Sequence, residues 1–520
     1  MTQIFDKVVN RYNAAEDLIE RNLEAGRAEK PAFIDVNGIH TYADVHRLSN
    51  KAANLLNSLD VRMEERVLLC LLDTIDFPTM FLGTIKAGAI PIPVNTRLTE
   101  ADYEYMLEDS RASLLIVSES LLPQFSSHLA AHRFLRTVIV SGADGHGHPR
   151  LTDMLADQGD CFEVAPTNRD DMCFWLYTSG TTGRPKGAVH LQSDMIETAD
   201  LYAIPTLSLT ENDIVFSGAK LFFAYGLGNG LSFPMSVGAT SVLLEGPPEP
   251  RAICELLRKH GVTVFYGVPT LFAMLLASGE LPSPGGHAMR LATSAGEALP
   301  PDILRRFKDQ TGVDILDGLG STEMLHIFLT NQKNDIKPGT SGKPVQGYRL
   351  RLIDDDGRVV EEADDMGMLE VSGPTSAIMY WNQRDRSRET FRGPWTRTGD
   401  KYVRDAHGYY IYAGRSDDML KVGGIYVSPF EVESVILKHD DVLEVAVIGH
   451  PDHDNLIKPK AFVVLQDGVR PSNQLADEIK AMAKTELASY KYPRWVEFLD
   501  ELPKTATGKI QRFKLRQIDR

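Results

Sequence analysis

With 520 residues the chain exceeds what one hydrophobic core ordinarily organises, so three or four structural units are expected. Its 43% hydrophobic and 24% charged residues fit a soluble globular protein, and a net charge of −16 excludes a general nucleic-acid or anionic-membrane surface. Cys70, Cys161, Cys173 and Cys254 form no C-x-x-C pair, which excludes a cysteine zinc or redox motif and suits a reducing cytoplasm.

The opening stretch carries charges throughout and lacks the apolar core of a secretion signal. Next, "RVLLCLLDTIDFPTMFLGTIKAGAIPIPVN" reads as strand, helix, Gly turn and strand, with runs apolar enough for strands covered on both faces. "WLYTSGTTGRPKGAVH" follows, placing Ser179, three glycines, threonines and Lys186 between a strand-like run and a helix-like one. Close backbone approach, many donors and a mobile cation suit a polyphosphate. Gly183 is followed by Arg184 and Pro185, and Lys186 by Gly187, so this is not the P-loop pattern.

The strand–helix–turn–strand order returns in "DIVFSGAKLFFAYGLGNGLSFPMSVGATSVLLEG", with Gly238 standing where Gly88 stood. Two related α/β layers with parallel strands and helical crossovers are expected. "VTVFYGVPTLFAMLLAS" is broken by Tyr266, Gly267 and Pro269 and reads as a buried strand then a core helix, not a membrane span. From "YRLRLIDDDGRVV" onward, alternation and Asp-Gly turns indicate antiparallel strands. After the charged segment Arg415–Asp418, Ser428, Pro429 and Glu431 have the spacing of a helix start with a capping box. Strands near "EVAVIGH" and "KAFVVLQ" and a helix near "LADEIKAMAKTEL" complete a small α+β unit.

Six polar or glycine-rich segments interrupt the apolar periodicity: Thr178–Lys186, "SAGEALP", "DGLGSTEML", "TRTGDKY", "GRSDDMLKVGG" and "PKTATGKIQR". In this order and spacing they resemble the adenylate-forming family of acyl-CoA synthetases, firefly luciferase and peptide-synthetase adenylation domains, over essentially the whole chain. "AKLFFAYGLGNGLSFPMSVGAT" and "GSTEMLHIFLTN" are most similar to the benzoate–CoA and 4-hydroxybenzoate–CoA ligases of that family. The resemblance implies an α/β fold. A large N-terminal domain (1–416) would hold two related α/β subdomains and a β-rich one, and a small mobile α+β domain (417–520) would pivot at Asp417. It also implies ATP, Mg²⁺ and coenzyme A, and a monomer or homodimer in the cytoplasm.

The family's chemistry joins a carboxylate to the α-phosphate of ATP, then lets the coenzyme A thiol displace AMP. Two anions must meet, so fixed positive charge and donors are needed. By resemblance, Thr178, Ser179, Gly180, Thr181, Thr182, Gly183 and Lys186 serve the β- and γ-phosphates. Thr322 contacts the α-phosphate and Glu323 holds Mg²⁺. Gly296, Glu297 and Ala298, with Asp317, Gly318, Leu319, Gly320 and Ser321, form the adenine pocket. Asp400 takes the ribose hydroxyls, and Arg415 also reaches the nucleotide. Lys509 bridges carboxylate and α-phosphate in the first step, while Lys504, Arg512 and Lys514 are solvated neighbours. Gly423 and Gly424 serve the thiol step. Lys421 either faces the adenylate or covers the domain interface.

The acyl pocket is expected from Phe223, Ala224, Tyr225, Gly226, Tyr266, Gly267, Leu325, His326 and Ile327. Phe223 replaces the histidine common at its position, which makes the wall more apolar and suits a planar ring. His326 is either a contact to the ring or carboxylate, or a satisfied buried histidine. The expected reaction is benzoate to benzoyl-CoA, the alternative a hydroxybenzoate ligase. The chain ends soon after Lys509, so a free-standing ligase is expected over a module that loads a carrier protein. A luciferase-like oxygenase would take up oxygen. A non-catalytic relative is disfavoured by the presence of Lys186, Glu323, Asp400 and Lys509.

Overall fold

The computed structural model describes residues 11–125, 129, 132–178, 184–415, 418–422, 425–453, 456–504 and 510–519. Two compact units divide the chain: Met1–Arg349 with Val371–Arg397, and Leu350–Glu370 with Thr398–Arg520.

The two related layers expected from the sequence are present in the first unit. Arg66–Cys70, helix Asp76–Lys86 and Ile90–Pro93 make one strand–helix–strand crossover, with the strands parallel. Ile214–Ser217, a helical stretch from Ala224 to Val237 and Thr240–Val242 make the second, also parallel. Both helical stretches stop at a left-handed glycine, Gly88 at φ +73° and Gly238 at φ +81°, a conformation that a side chain would strain. The first crossover belongs to a four-stranded parallel sheet completed by Leu114–Ser118 and Thr137–Ser141. The second lies in a nine-stranded sheet that also contains Val264–Gly267, Leu291–Ser294, Ile315–Gly320 and Ile327–Thr330. Near-continuous apolar strands such as Val67–Leu69 and Val264–Tyr266 are wholly buried, as parallel strands covered on both faces must be.

One element differs from its expected form. The segment after the glycine-rich loop is a strand, Lys186–Leu191, that pairs antiparallel with Met172–Thr178, Lys186 lying opposite Thr178. Its apolar run is too short to decide between helix and strand by periodicity, and the ladder to its neighbour decides it. Among the described residues no helix is long and apolar enough to cross a membrane.

The second unit contains residues 398–404 of strand Trp395–Arg404, their hairpin partner Tyr410–Arg415 and a three-stranded sheet. In that sheet Val442–Pro451 runs antiparallel to Ile457–Leu465, and Trp495–Phe498 runs parallel to it. Val432, Ile436, Val447, Val463 and Ile479 form part of the core between this sheet and helices Pro429–Ile436 and Asn473–Glu486. Ser428 caps the first of these by accepting from the Glu431 N–H at 3.2 Å, whereas the Glu431 carboxylate pairs with Lys491. Only the hydroxyl half of the expected capping box is thus seen. Arg512 is not a solvated tail residue: it opens helix Arg512–Ile518 and grips Glu433 with Nη2 at 2.7 and 2.9 Å. Because Glu433 is itself buried and accepts the Val447 N–H, removing the guanidinium would strand a charge in the core.

Candidate active site

In the first unit, the hairpin Met172–Thr178/Lys186–Leu191 carries the stems of the glycine-rich loop, while Ser179, Gly180, Thr181, Thr182 and Gly183 lie outside the described residues. The Lys186 ammonium sits over the Tyr380 ring, 4.2 Å from its centroid. Thr322 and Glu323 stand in a single 3₁₀ turn, Thr322–Met324, opened by Ser321, whose hydroxyl accepts from the Met324 N–H at 3.3 Å. The Glu323 carboxylate accepts the Tyr380 hydroxyl at 2.6 Å. Behind the turn, His190 bridges two oxygens, with Nε2 2.8 Å from the Thr322 carbonyl and Nδ1 2.8 Å from the Asp194 carboxylate. Leu325 leaves the turn at φ +64°, a left-handed backbone rarely adopted by a branched residue and often found beside functional groups.

The segments expected around adenine flank two parallel neighbours, Leu291–Ser294 and Ile315–Gly320. Gly296, Glu297 and Ala298 follow the first strand, and the Thr270 hydroxyl donates to Glu297 at 3.3 Å. Asp317, Gly318, Leu319 and Gly320 end the second, with Ser321 next. Gly318 and Gly320 have a structural reason to be glycine. A Cβ would come within 2.9 Å of the Leu329 carbonyl at Gly318 and 2.6 Å of the His326 carbonyl at Gly320, both on the adjoining antiparallel segment. Complete burial holds the Asp317 carboxyl well above the usual range, favouring its neutral form.

Of the residues expected on the acyl side, Tyr266 and His326 meet Tyr225. Its hydroxyl shares a 2.6 Å hydrogen bond with Thr293. Its ring lies 5.4 Å from His326 and meets Tyr266 edge-on at 6.4 Å. Tyr202 and Phe233 enclose His326 further at 5.5 and 4.4 Å, and Nε2 meets Asn229 Oδ1 at 3.2 Å. Burial depresses this imidazole to about 3, so it is neutral at physiological pH and offers no cation to a carboxylate. Phe223 packs on Phe222 at 4.4 Å, before helix Ala224–Leu227, which contains Gly226. Gly267 ends the strand that carries Tyr266, and Leu325 and Ile327 flank His326 and are buried.

In the second unit, Asp400 and Arg415 are cross-strand partners, with Arg415 Nη1 3.4 Å from Asp400 Oδ1. Gly399, at φ +80°, lets the guanidinium lie close to its backbone. Lys421 belongs to strand Leu420–Val422, opposite Tyr426. Asp417, Gly423, Gly424 and Lys509 lie outside the described residues.

Sequence reading missed His190, Tyr202, Asn229, Thr293 and Tyr380. Each touches a predicted site residue across a long stretch of chain, so local spacing carried no signal for them.

Residues 19–381 match the AMP-binding enzymes and residues 431–509 their C-terminal domain; the chain belongs to the AMP-binding enzyme family. It is 57% identical to a benzoate–CoA ligase of Thauera aromatica, over 98% of this chain and 97% of that one. It is 46% identical to a 4-hydroxybenzoate–CoA/benzoate–CoA ligase of Rhodopseudomonas palustris, over 98% and 94%. A crystal structure of a benzoate CoA ligase from Burkholderia xenovorans LB400 matches with TM-score 0.91 and 49% identity, covering 97% of this chain and all of that one.

Proposed function

We propose that the chain converts benzoate, ATP and coenzyme A to benzoyl-CoA, AMP and pyrophosphate through an aroyl-adenylate. The observation that carries the aryl choice is the ring enclosure of Tyr225, Tyr266 and neutral His326. These walls favour a flat apolar ring by edge and face contact. They place no cation against the ring.

Lys186 and the loop before it hold the β- and γ-phosphates. Thr322 meets the α-phosphate, and Asp400 and Arg415 take the ribose side. Among the described residues no three His, Cys, Asp or Glu side chains converge on a point. The Glu323 carboxylate, held through one oxygen by the Tyr380 hydroxyl, is the hard oxygen ligand that Mg²⁺ takes beside phosphates and water, so Glu323 would hold it. Bound there, Mg²⁺ would supply neutralisation of phosphate charge. Lys509 stabilises the charge that builds between carboxylate and α-phosphate, and rotation about Asp417 then brings the Gly423–Gly424 segment to the adenylate for the thiol step. In this reading the functional boundary is the pivot, at 416/417.

A second reading, a hydroxybenzoate ligase, is favoured by one observation. The buried Tyr266 hydroxyl has no hydrogen-bond partner among the described residues, and a ring hydroxyl could supply one. The deciding experiment compares kcat/KM for benzoate, 4-hydroxybenzoate and octanoate in a coenzyme-A-dependent AMP-release assay. Benzoate should rank first. If 4-hydroxybenzoate leads, the second reading replaces the first; if octanoate leads, the aryl pocket is wrong.

A further inference from the structure

Lys186 and Glu323 come from distant parts of the chain, yet one short stretch, residues 375–381, ties both in place. The Trp381 N–H donates to the Gly187 carbonyl at 2.8 Å, beside Lys186. The Ala377 N–H donates to the Glu323 carbonyl at 2.7 Å, and the Thr375 hydroxyl to the Met324 carbonyl at 2.8 Å. Within this stretch Tyr380 is 2% exposed and pairs opposite Ala188. Its N–H donates to the Ser387 hydroxyl at 2.9 Å, and its ring packs on Phe391 at 5.2 Å, so its direction is fixed from two sides.

That fixed side chain meets both charges. Its ring face lies under the Lys186 ammonium at 4.2 Å, and its hydroxyl donates to Glu323 Oε1 at 2.6 Å. We propose that Tyr380 is a positioning residue for the metal–phosphate site, seating Lys186 on its ring and orienting the Glu323 carboxylate through its hydroxyl. The proposal rests on the reading that Glu323 meets Mg²⁺ and Lys186 meets phosphate. A carboxylate with one oxygen held by a phenol keeps its other oxygen in a set direction for a cation. An ammonium resting on a ring face is attracted by the ring quadrupole and so is held in a set place. One residue thus prepares both charges before nucleotide arrives, and its two contacts can be removed separately.

The test is calorimetric binding of ATP to the full chain, across a Mg²⁺ series and in EDTA, for wild type, Tyr380→Phe, Tyr380→Leu and Glu323→Gln. Tyr380→Phe keeps the ring and loses the hydroxyl. It should raise the Mg²⁺ concentration needed for half-maximal enhancement of ATP binding by about three- to tenfold, while affinity in EDTA stays within about twofold. Tyr380→Leu should also weaken binding in EDTA, because Lys186 loses its seat. If Tyr380→Leu is misfolded by circular dichroism, the Phe variant alone decides. A Mg²⁺ dependence in Tyr380→Phe equal to wild type overturns the proposal. A Glu323→Gln variant with wild-type Mg²⁺ dependence overturns instead the reading beneath it, and the proposal with it.

Discussion

His326→Phe should flatten the acid side of the stability profile by an amount that burial dictates. The imidazole is 2% exposed and packed among Tyr202, Tyr225 and Phe233, and desolvation, opposed by the Tyr225 backbone, lowers it from 6.5 to about 3. Unfolded chains bind the proton near pH 6.5 and the folded protein only near pH 3. The stabilising contribution is therefore complete above 6.5 and disappears as pH falls toward 3. Each unit costs about 1.4 kcal/mol, giving a loss of about 1.4 kcal/mol at pH 5.5 and about 2.7 at pH 4.5. Asp73 runs the other way: burial raises it to about 6, so its contribution is complete below 3.8 and lost as pH rises through 6. The wild-type curve mixes these effects, but the gap between wild type and variant isolates the histidine. Urea unfolding at pH 7.5, 5.5 and 4.5, followed by tryptophan fluorescence, should show that gap moving in favour of the variant by these amounts. A gap constant with pH would refute the burial argument. It would also reopen a charged role for His326 toward the substrate carboxylate.

Three further outcomes follow from the proposed roles. Lys509→Ala should lower adenylate formation by orders of magnitude while sparing thioester formation from preformed aroyl-adenylate, since the lysine acts on charge that appears in the first transition state; equal losses in both half-reactions, measured separately, would remove it from that role. Asp417→Pro should depress thioester formation far more than pyrophosphate exchange, because a fixed φ limits rotation; unchanged overall turnover would place the pivot elsewhere. Ala224→Leu should weaken aryl-acid use by about 1–3 kcal/mol through overpacking, because Ala224 already sits in the core formed with Leu221, Phe222 and Leu227. ATP affinity measured beside it should stay near wild type.

Much of the fold was legible because its signals are local. The paired crossovers showed in two apolar runs each broken by a glycine, and Gly88 and Gly238 take the same left-handed turn. The candidate site was legible only where its residues are contiguous. Thr322 and Glu323 are neighbours in one turn, and Asp400 stands beside Gly399, so the motif and the geometry coincide. His190 is 132 residues from Thr322, and Tyr380 is 57 from Glu323; only the packing of strands against the turn Thr322–Met324 brings them together. Strand register turned the expected helix after the glycine-rich loop into the strand Lys186–Leu191. His326 was undecidable for a different reason. Its two readings use the same residue at the same place and differ only in what surrounds the ring, which is a property of packing between distant segments. Arg512 follows the same logic. Among lysines and arginines on a basic stretch it reads as solvated, and only the folded position of Glu433 makes it an interior partner. The residues proposed to contact substrate can thus be picked out by motif chemistry, whereas those proposed to aim them, His190 and Tyr380 above all, are set by which distant segments the fold packs together. Substitutions at the aiming residues should accordingly change affinities and metal dependence before they abolish the reaction.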